Sequence, residues 1–168
     1  MLLAKKAAAQ SVKLALDCAG KALVSALGRH VELAKLNERE LADIAGAPVL
    51  DRSRAIAAAG QLLATGVRMV AVTRGPRGAL LVTPEGAWEA SAPPVRALST
   101  VGAGDCFLAI LVWHLAQGHP AMDALRAAVA GGSAALLAEG TSLALPQDID
   151  RLAPQVSVSG QLPLAAEA

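Results

Sequence analysis

The sequence predicts an α/β fold with a mainly parallel sheet and flanking helices. Three observations carry that expectation. Apolar runs of strand length alternate with segments of helical period, in the order strand, helix, strand, helix, strand. Hydrophobic residues make up 54% of the chain, with much alanine, as helices packed closely against something require. Asp17, Asn37 and Thr73 each stand at the end of an apolar strand, and parallel sheets bind ligands at the carboxyl ends of their strands. Polar residues at three such ends predict one spatial cluster.

The elements follow in order. The chain opens in a helix-like segment. "VKLAL", 12–16, is short and apolar and runs into Asp17; "CAGKALVSAL", 18–27, has helical spacing, and Gly28 can stop it. "VELAKL", 31–36, is a second strand, with Asn37 as cap of the helix "ERELADIAG" and Gly46 at its end. Residues 51–65 place apolar side chains at 55, 56, 59, 62 and 63, a helical period, with Asp51 as cap. "RMVAVT", 68–73, is a third strand, and 78–90 a hairpin turning at Pro84-Glu85-Gly86. Residues 91–104 read as loop. Helices are expected at about 104–117, 121–138 and 146–152, and a frayed, disordered tail over 154–168.

With 168 residues the chain is long enough for a real core. Fifteen Lys and Arg against 14 Asp and Glu leave a net charge of +1, which gives no electrostatic case for nucleic acid or an anionic membrane. Aromatics are 2%, too few for base-stacking platforms. No segment reads as transmembrane: the best candidate, 106–122, is uncharged but contains His114, Gln117, Gly118, His119 and Pro120. The start is a poor signal peptide, because its lysines follow its leucines. Cys18 and Cys106 lie far apart and read as small buried thiols of a reducing cytoplasm. His30, His114 and His119 show no ligand spacing.

Four stretches could carry chemistry. In "STVGAGDCF", 99–107, Gly102 and Gly104 allow a ligand close to the backbone, and the helix that follows leaves N–H groups unpaired for a phosphate or developing oxyanion. Asp105 is then either a helix-cap acid or a base beside an anion hole. The loop is not a Walker A sequence, and Phe107 stands where a dinucleotide fingerprint needs its third glycine. In "LAKLNERELADI", 33–44, Asn37 and Glu40 form N-x-x-E, which is a capping box or an outer-shell site for hydrated Mg²⁺ and phosphate. "VTRGPRGALLV", 72–82, is an ordinary turn, or one where Gly75 and Gly78 let a nucleotide lie against the backbone with Arg74 or Arg77 near its phosphates. Gly131, Gly132 and Ser133 either permit tight helix packing or make room for a flat adenine ring.

These pieces, with "AAVAGGSAALLAEGTSL", come in one order and spacing over about 12–152, and in that set the chain resembles the ribokinase-like, or PfkB, carbohydrate kinases. Within the family it looks most like the phosphosugar kinases, especially the second, non-allosteric bacterial 6-phosphofructokinase type; "LDCAGKAL", "APPVRALSTVGAGD" and "EGTSL" carry that likeness. The resemblance implies a ribokinase-like fold and ATP-dependent phosphoryl transfer to a sugar phosphate hydroxyl, with fructose 6-phosphate the foremost acceptor. Fructose 1-phosphate and tagatose 6-phosphate are alternatives, and so is a catalytically inactive nucleotide-binding remnant. It implies Asp105 as general base and the amides of Gly102, Ala103, Gly104 and Asp105 as anion hole. Asn37 and Glu40 would serve Mg²⁺ and phosphate, with Lys35 beside the nucleotide. Thr73, Arg74, Gly75, Pro76, Arg77 and Gly78 would contact ATP, and Ser133 would lie near the adenine. Backbone around Ser99, Val101, Ala135, Ala138, Gly140 and Ser142 resembles the family's monovalent-cation site, usually potassium. Arg74 stands where the family commonly has leucine, Leu36 where proline is common, and Cys106 where a small polar residue follows the base. Family members run to about 300 residues, so the resemblance also implies that residues 1–153 are the C-terminal, nucleotide-binding half. The first strands, the small β lid and most sugar-binding residues would be missing. A cytoplasmic protein is expected, forming a homo-oligomer or pairing with the missing N-terminal half, since an exposed sheet edge favours association.

Overall fold

The computed structural model describes residues 2–18, 20–27, 31–49, 51–140, 143–162 and 164. They form two compact units, one of the described residues within 1–73, 80–87 and 161–168, the other of those within 74–79 and 88–160. The divisions fall at the end of a strand and inside a hairpin, where no change of composition announces them.

The first unit contains α1 (Leu2–Ala9), β1 (Leu14–Asp17), α2 (Gly20–Ala26), β2 (Val31–Asn37), α3 (Glu38–Ala45), α4 (Arg52–Ala64) and β3 (Met69–Thr73), with most of β4 (Ala79–Thr83). β1 pairs parallel with β2, and β2 with β3. Asp17 lies opposite Lys35, and Asn37 opposite Thr73, so the three expected polar residues do stand at the same end of neighbouring strands. β2 is buried at Val31, Leu33, Ala34, Lys35 and Leu36, as a strand covered on both faces must be. The core joins Val31, Leu36, Val70 and Val72 to Leu41 of α3 and to Ala55, Ile56, Ala59 and Leu62 of α4. Burying a side chain such as Leu36 contributes about 2 kcal/mol. The α4 set keeps the helical period read from the sequence, and Asp51 caps α4 by accepting the Arg54 N–H at 2.8 Å.

The second unit contains α5 (Ala103–Ala116), α6 (Ala121–Ala135) and α7 (Pro146–Leu152), with 3-10 turns at Gly75–Arg77 and Ala153–Gln155. It also holds the outer residues of β5 (Gly86–Ala90) and most of β6 (Val158–Leu162). α5 and α6 meet through glycine. A Cβ on Gly131 would lie 2.0 Å from Ile110 Cδ1, and one on Gly132 would lie 3.2 Å from the Ala103 carbonyl oxygen. The packing role of Gly131 and Gly132 is thus realised.

The six strands form one sheet in the order β1-β2-β3-β4-β5-β6. One expectation is corrected here. The segment from 154 was expected to fray, yet it forms a 3-10 turn and then β6. Ser91 N–H donates to the Ser157 carbonyl at 3.0 Å, their hydroxyls are 2.7 Å apart, and Gly160 lies against the Trp88 indole. The pairing partners lie some 66 residues upstream, so no local signal marks the strand. Residues 163 and 165–168 of the expected tail lie outside the described residues. Among the described residues no helix is long and apolar enough to cross a membrane.

Candidate active site

In the first unit the strand ends gather Asp17, Lys35, Asn37, Glu40 and Thr73. Lys35 is 8% exposed, and its ammonium donates to an Asp17 carboxylate oxygen at 2.8 Å. The parallel register sets those residues side by side, and a buried ammonium needs a partner. Asp17 therefore belongs to the site, a residue the strand-end reading marked but gave no role. Asn37 Oδ1 accepts the Glu40 N–H at 2.9 Å, and Glu40 Oε2 accepts the Asn37 N–H at 2.8 Å. This is the complete capping box, so the structural reading of N-x-x-E is present. It still leaves the second Glu40 carboxylate oxygen outside the box. Thr73 donates its hydroxyl to the Leu36 carbonyl at 3.4 Å. The Cys18 thiol is pushed up by burial first, then by the carboxylates of Asp17 and Glu40. Cys18 and Cys106 are both half-buried, a correction to the expectation of buried thiols.

Hard carboxylate and amide oxygens at strand ends suit Mg²⁺, which keeps most of its waters. Among the described residues no group of three or more His, Cys, Asp or Glu could hold a metal. The Glu40 carboxylate oxygen outside the box is a hard donor of the kind a hydrated ion touches through its waters.

The second unit carries the glycine loop. Gly102 adopts φ +80°, a left-handed conformation open to glycine, and α5 starts at the next residue. The Cys106 N–H donates to the Gly102 carbonyl at 2.9 Å, the first bond of the helix. Among the described residues the amides of Gly102, Ala103, Gly104 and Asp105 have no hydrogen-bond acceptor, and the exposed Asp105 carboxylate has no donor. A run of bare N–H groups beside an unpartnered acid can take an anion and a proton together.

The turn after β3 is tightly made. Arg74 N–H donates to the Gly78 carbonyl at 2.8 Å, and Gly78 N–H to the Gly75 carbonyl at 2.9 Å. Gly78 has φ +89°, and a Cβ there would lie 1.9 Å from the Ala90 carbonyl oxygen. Gly75, Pro76 and Arg77 are exposed. Arg74 differs from its expected place near phosphates. Its guanidinium is buried and ion-paired with Glu89. Glu89 escaped the sequence reading because nothing in "GAWEA" points to a partner fifteen residues away.

Ser133 is buried on α6, next in sequence to the glycine that α5 approaches. The Ser99 hydroxyl donates to the Gly140 carbonyl at 3.0 Å and accepts the Val101 N–H at 3.2 Å. Leu98 N–H bonds the Leu136 carbonyl, which joins the two stretches, and the Ala138 N–H bonds the Ala135 carbonyl. Ser99, Val101 and Gly140 are thus brought together, with Ala135 and Ala138 on the adjoining turn. The hydroxyl and carbonyl oxygens are the hard donors an alkali cation takes. Ser142 and His30 lie outside the described residues.

Residues 1–148 match the pattern described as pfkB family carbohydrate kinase. The ATP-dependent 6-phosphofructokinase isozyme 2 of Escherichia coli is 34% identical over 145 residues, 85% of this chain and 47% of that protein. The 1-phosphofructokinase of Bacillus subtilis is 30% identical over 150 residues, 89% of this chain and 49% of its own. The crystal structure of phosphofructokinase-2 from E. coli in complex with potassium superposes with a TM-score of 0.86 at 33% identity, covering 91% of this chain and 50% of that one. The chain spans about half the length of the curated relatives it matches. With the ribokinase-like fold and the ordered motifs already in place, the chain belongs to the pfkB family of carbohydrate kinases.

Proposed function

We propose that this chain supplies the nucleotide-binding half, residues 1–153, of an ATP-dependent phosphosugar kinase, with fructose 6-phosphate as acceptor. The observation that carries the reading is the row of unpaired amides from Gly102 to Asp105 with the unpartnered Asp105 carboxylate at the start of α5. Asp105 accepts the proton of the acceptor hydroxyl, whose oxygen attacks the γ-phosphorus of ATP. The bond from that phosphorus to the bridging oxygen breaks, and ADP leaves. The Gly102–Asp105 amides hold the charge on the transferred group. The turn from Thr73 to Gly78 contacts the nucleotide, with Gly75, Pro76 and Arg77 its exposed residues; Lys35 lies beside the nucleotide, and Ser133 lies near the adenine. Glu40 and Asn37 would hold Mg²⁺ through its waters; when bound, that ion neutralises phosphate charge. Oxygens of Ser99, Val101, Ala135, Ala138, Gly140 and Ser142 would hold potassium, as the complex of the E. coli relative supports.

The relatives' names support a phosphosugar and divide over which one, 6-phosphofructokinase against 1-phosphofructokinase. The test is ADP release by the 168-residue chain with MgATP, potassium and fructose 6-phosphate, beside Asp105→Asn. Turnover that falls by about a thousandfold or more in the mutant is the expected result, since it removes the base. Equal activity in both proteins overturns the role of Asp105. Faster turnover with fructose 1-phosphate or tagatose 6-phosphate reassigns the acceptor. MgATP binding without turnover in either protein supports a second reading, a nucleotide-binding module that catalyses only with the remaining half of the family fold, or a remnant.

A further inference from the structure

Arg74 and Glu89 raise a question that the proposed mechanism does not use. A guanidinium side chain only 5% exposed sits at the mouth of the turn read as contacting ATP, ion-paired with a carboxylate 23% exposed. Desolvating such charges costs several kcal/mol per ion and is repaid only by close, well-oriented pairing. That expense fixes Arg74 in one place. Arg74 in turn closes the turn from both sides, because its N–H donates to the Gly78 carbonyl and its carbonyl accepts the Arg77 N–H at 3.2 Å. The next residue after Glu89 holds the other end. The Ala90 carbonyl oxygen occupies the place a side chain on residue 78 would take. Two consecutive residues of β5 thus grip the first and last residues of the turn, one by charge and one by contact.

We propose that Glu89 is a positioning residue for nucleotide binding: by anchoring the Arg74 guanidinium it sets the conformation in which the exposed Gly75, Pro76 and Arg77 present their backbone to ATP. The inference rests on the reading of that turn as the nucleotide contact. Glu89 itself touches no substrate and acts through Arg74. A guanidinium fork reads carboxylate geometry closely, so the amide of glutamine keeps the shape of the partner and loses the charge that holds the fork.

The experiment measures MgATP affinity by calorimetry and amide hydrogen exchange at Arg74 and Gly78, in the full 168-residue chain. It compares the native protein with Glu89→Gln, with the apolar pair Arg74→Leu/Glu89→Leu, and with the exchanged pair Arg74→Glu/Glu89→Arg. The expected result for Glu89→Gln is about tenfold weaker MgATP binding with faster exchange at both amides. The exchanged pair recovers most of both. The apolar pair stays folded, since hydrophobic replacement of a buried pair is often neutral, yet binds as weakly as Glu89→Gln. A merely structural pair would lower the melting temperature and leave affinity of the folded protein unchanged. Native affinity and native exchange in Glu89→Gln overturn this inference and leave the nucleotide reading standing. If Glu89→Gln does not fold, native affinity in the apolar pair overturns it in the same way. No MgATP binding by the native chain overturns the nucleotide reading, and this inference falls with it.

Discussion

His114 shows how a residue with no ligand spacing can still leave a mark on stability. Its Nδ1 is buried with no hydrogen-bond partner among the described residues, its ring meets Trp113 edge-on, and the His119 ring centroid is 4.9 Å away. Burial first, then the His119 ring, hold its pKa below the ordinary 6.5, with Asp123 opposing. Below about pH 6.5 the unfolded chain takes up a proton that the folded chain refuses, so unfolding gains as pH falls. The contribution is present in full above that value and is lost as pH drops toward the lower folded value. The melting temperature should therefore fall from about pH 7.5 to about pH 5.5, and the slope should flatten in His114→Leu. An unchanged slope in that variant would show that another group carries the dependence. The same scale explains which site residues were legible. Gly102 to Asp105 announce themselves because glycine, then acid, then helix is a local pattern. The Lys35–Asp17 and Arg74–Glu89 pairs join residues 18 and 15 positions apart across strands, and no residue type at one end names its partner.

At the scale of elements, α3 tests two readings of one motif. Asn37 and Glu40 close the capping box at the start of α3, and Gly46 ends the helix in the left-handed conformation. Asn37→Ala removes the acceptor of the Glu40 N–H and leaves the Glu40 carboxylate on the backbone N–H of residue 37. It should cost about 1 kcal/mol of stability in denaturant unfolding without nucleotide or Mg²⁺. A loss of MgATP affinity beyond that stability cost would show that the same residues also serve the phosphates. No stability change would instead mean that the box is dispensable. Element types and most boundaries were legible because they follow from period and cap: β2 ends at Asn37, α4 begins after Asp51, and the hairpin turns at Pro84 and Glu85. The exception is β6, whose ladder partners are remote. α6 also stops at Ala135, where helical period ran on to 138, because Leu136 already turns its carbonyl to Leu98 and Ser99.

For the whole molecule the open question is association. β1 is the end strand of the sheet order, and among the described residues it pairs with β2 alone. An unpaired strand edge offers N–H and C=O groups to another chain, and Val12, Val24, Leu98, Val101, Trp113, Leu143 and Leu145 are exposed apolar side chains. Sedimentation should show a mass that rises with concentration, reduced in Ala15→Lys, which puts a charge on the edge. A monomer at every concentration would mean the edge is covered.

The alternation of period and the order of the glycine, N-x-x-E and turn motifs determined the fold class and the family from the sequence alone, because each is written within about ten residues of chain. Only the tertiary structure decided that Lys35 is held by Asp17, that Arg74 turns inward to Glu89, that Gly131 seats Ile110, and that 158–162 is a strand. Those outcomes depend on which distant groups share a desolvated space. The energy of burying a charge or closing a ladder is set by the partner that arrives, and that partner is not a neighbour in sequence.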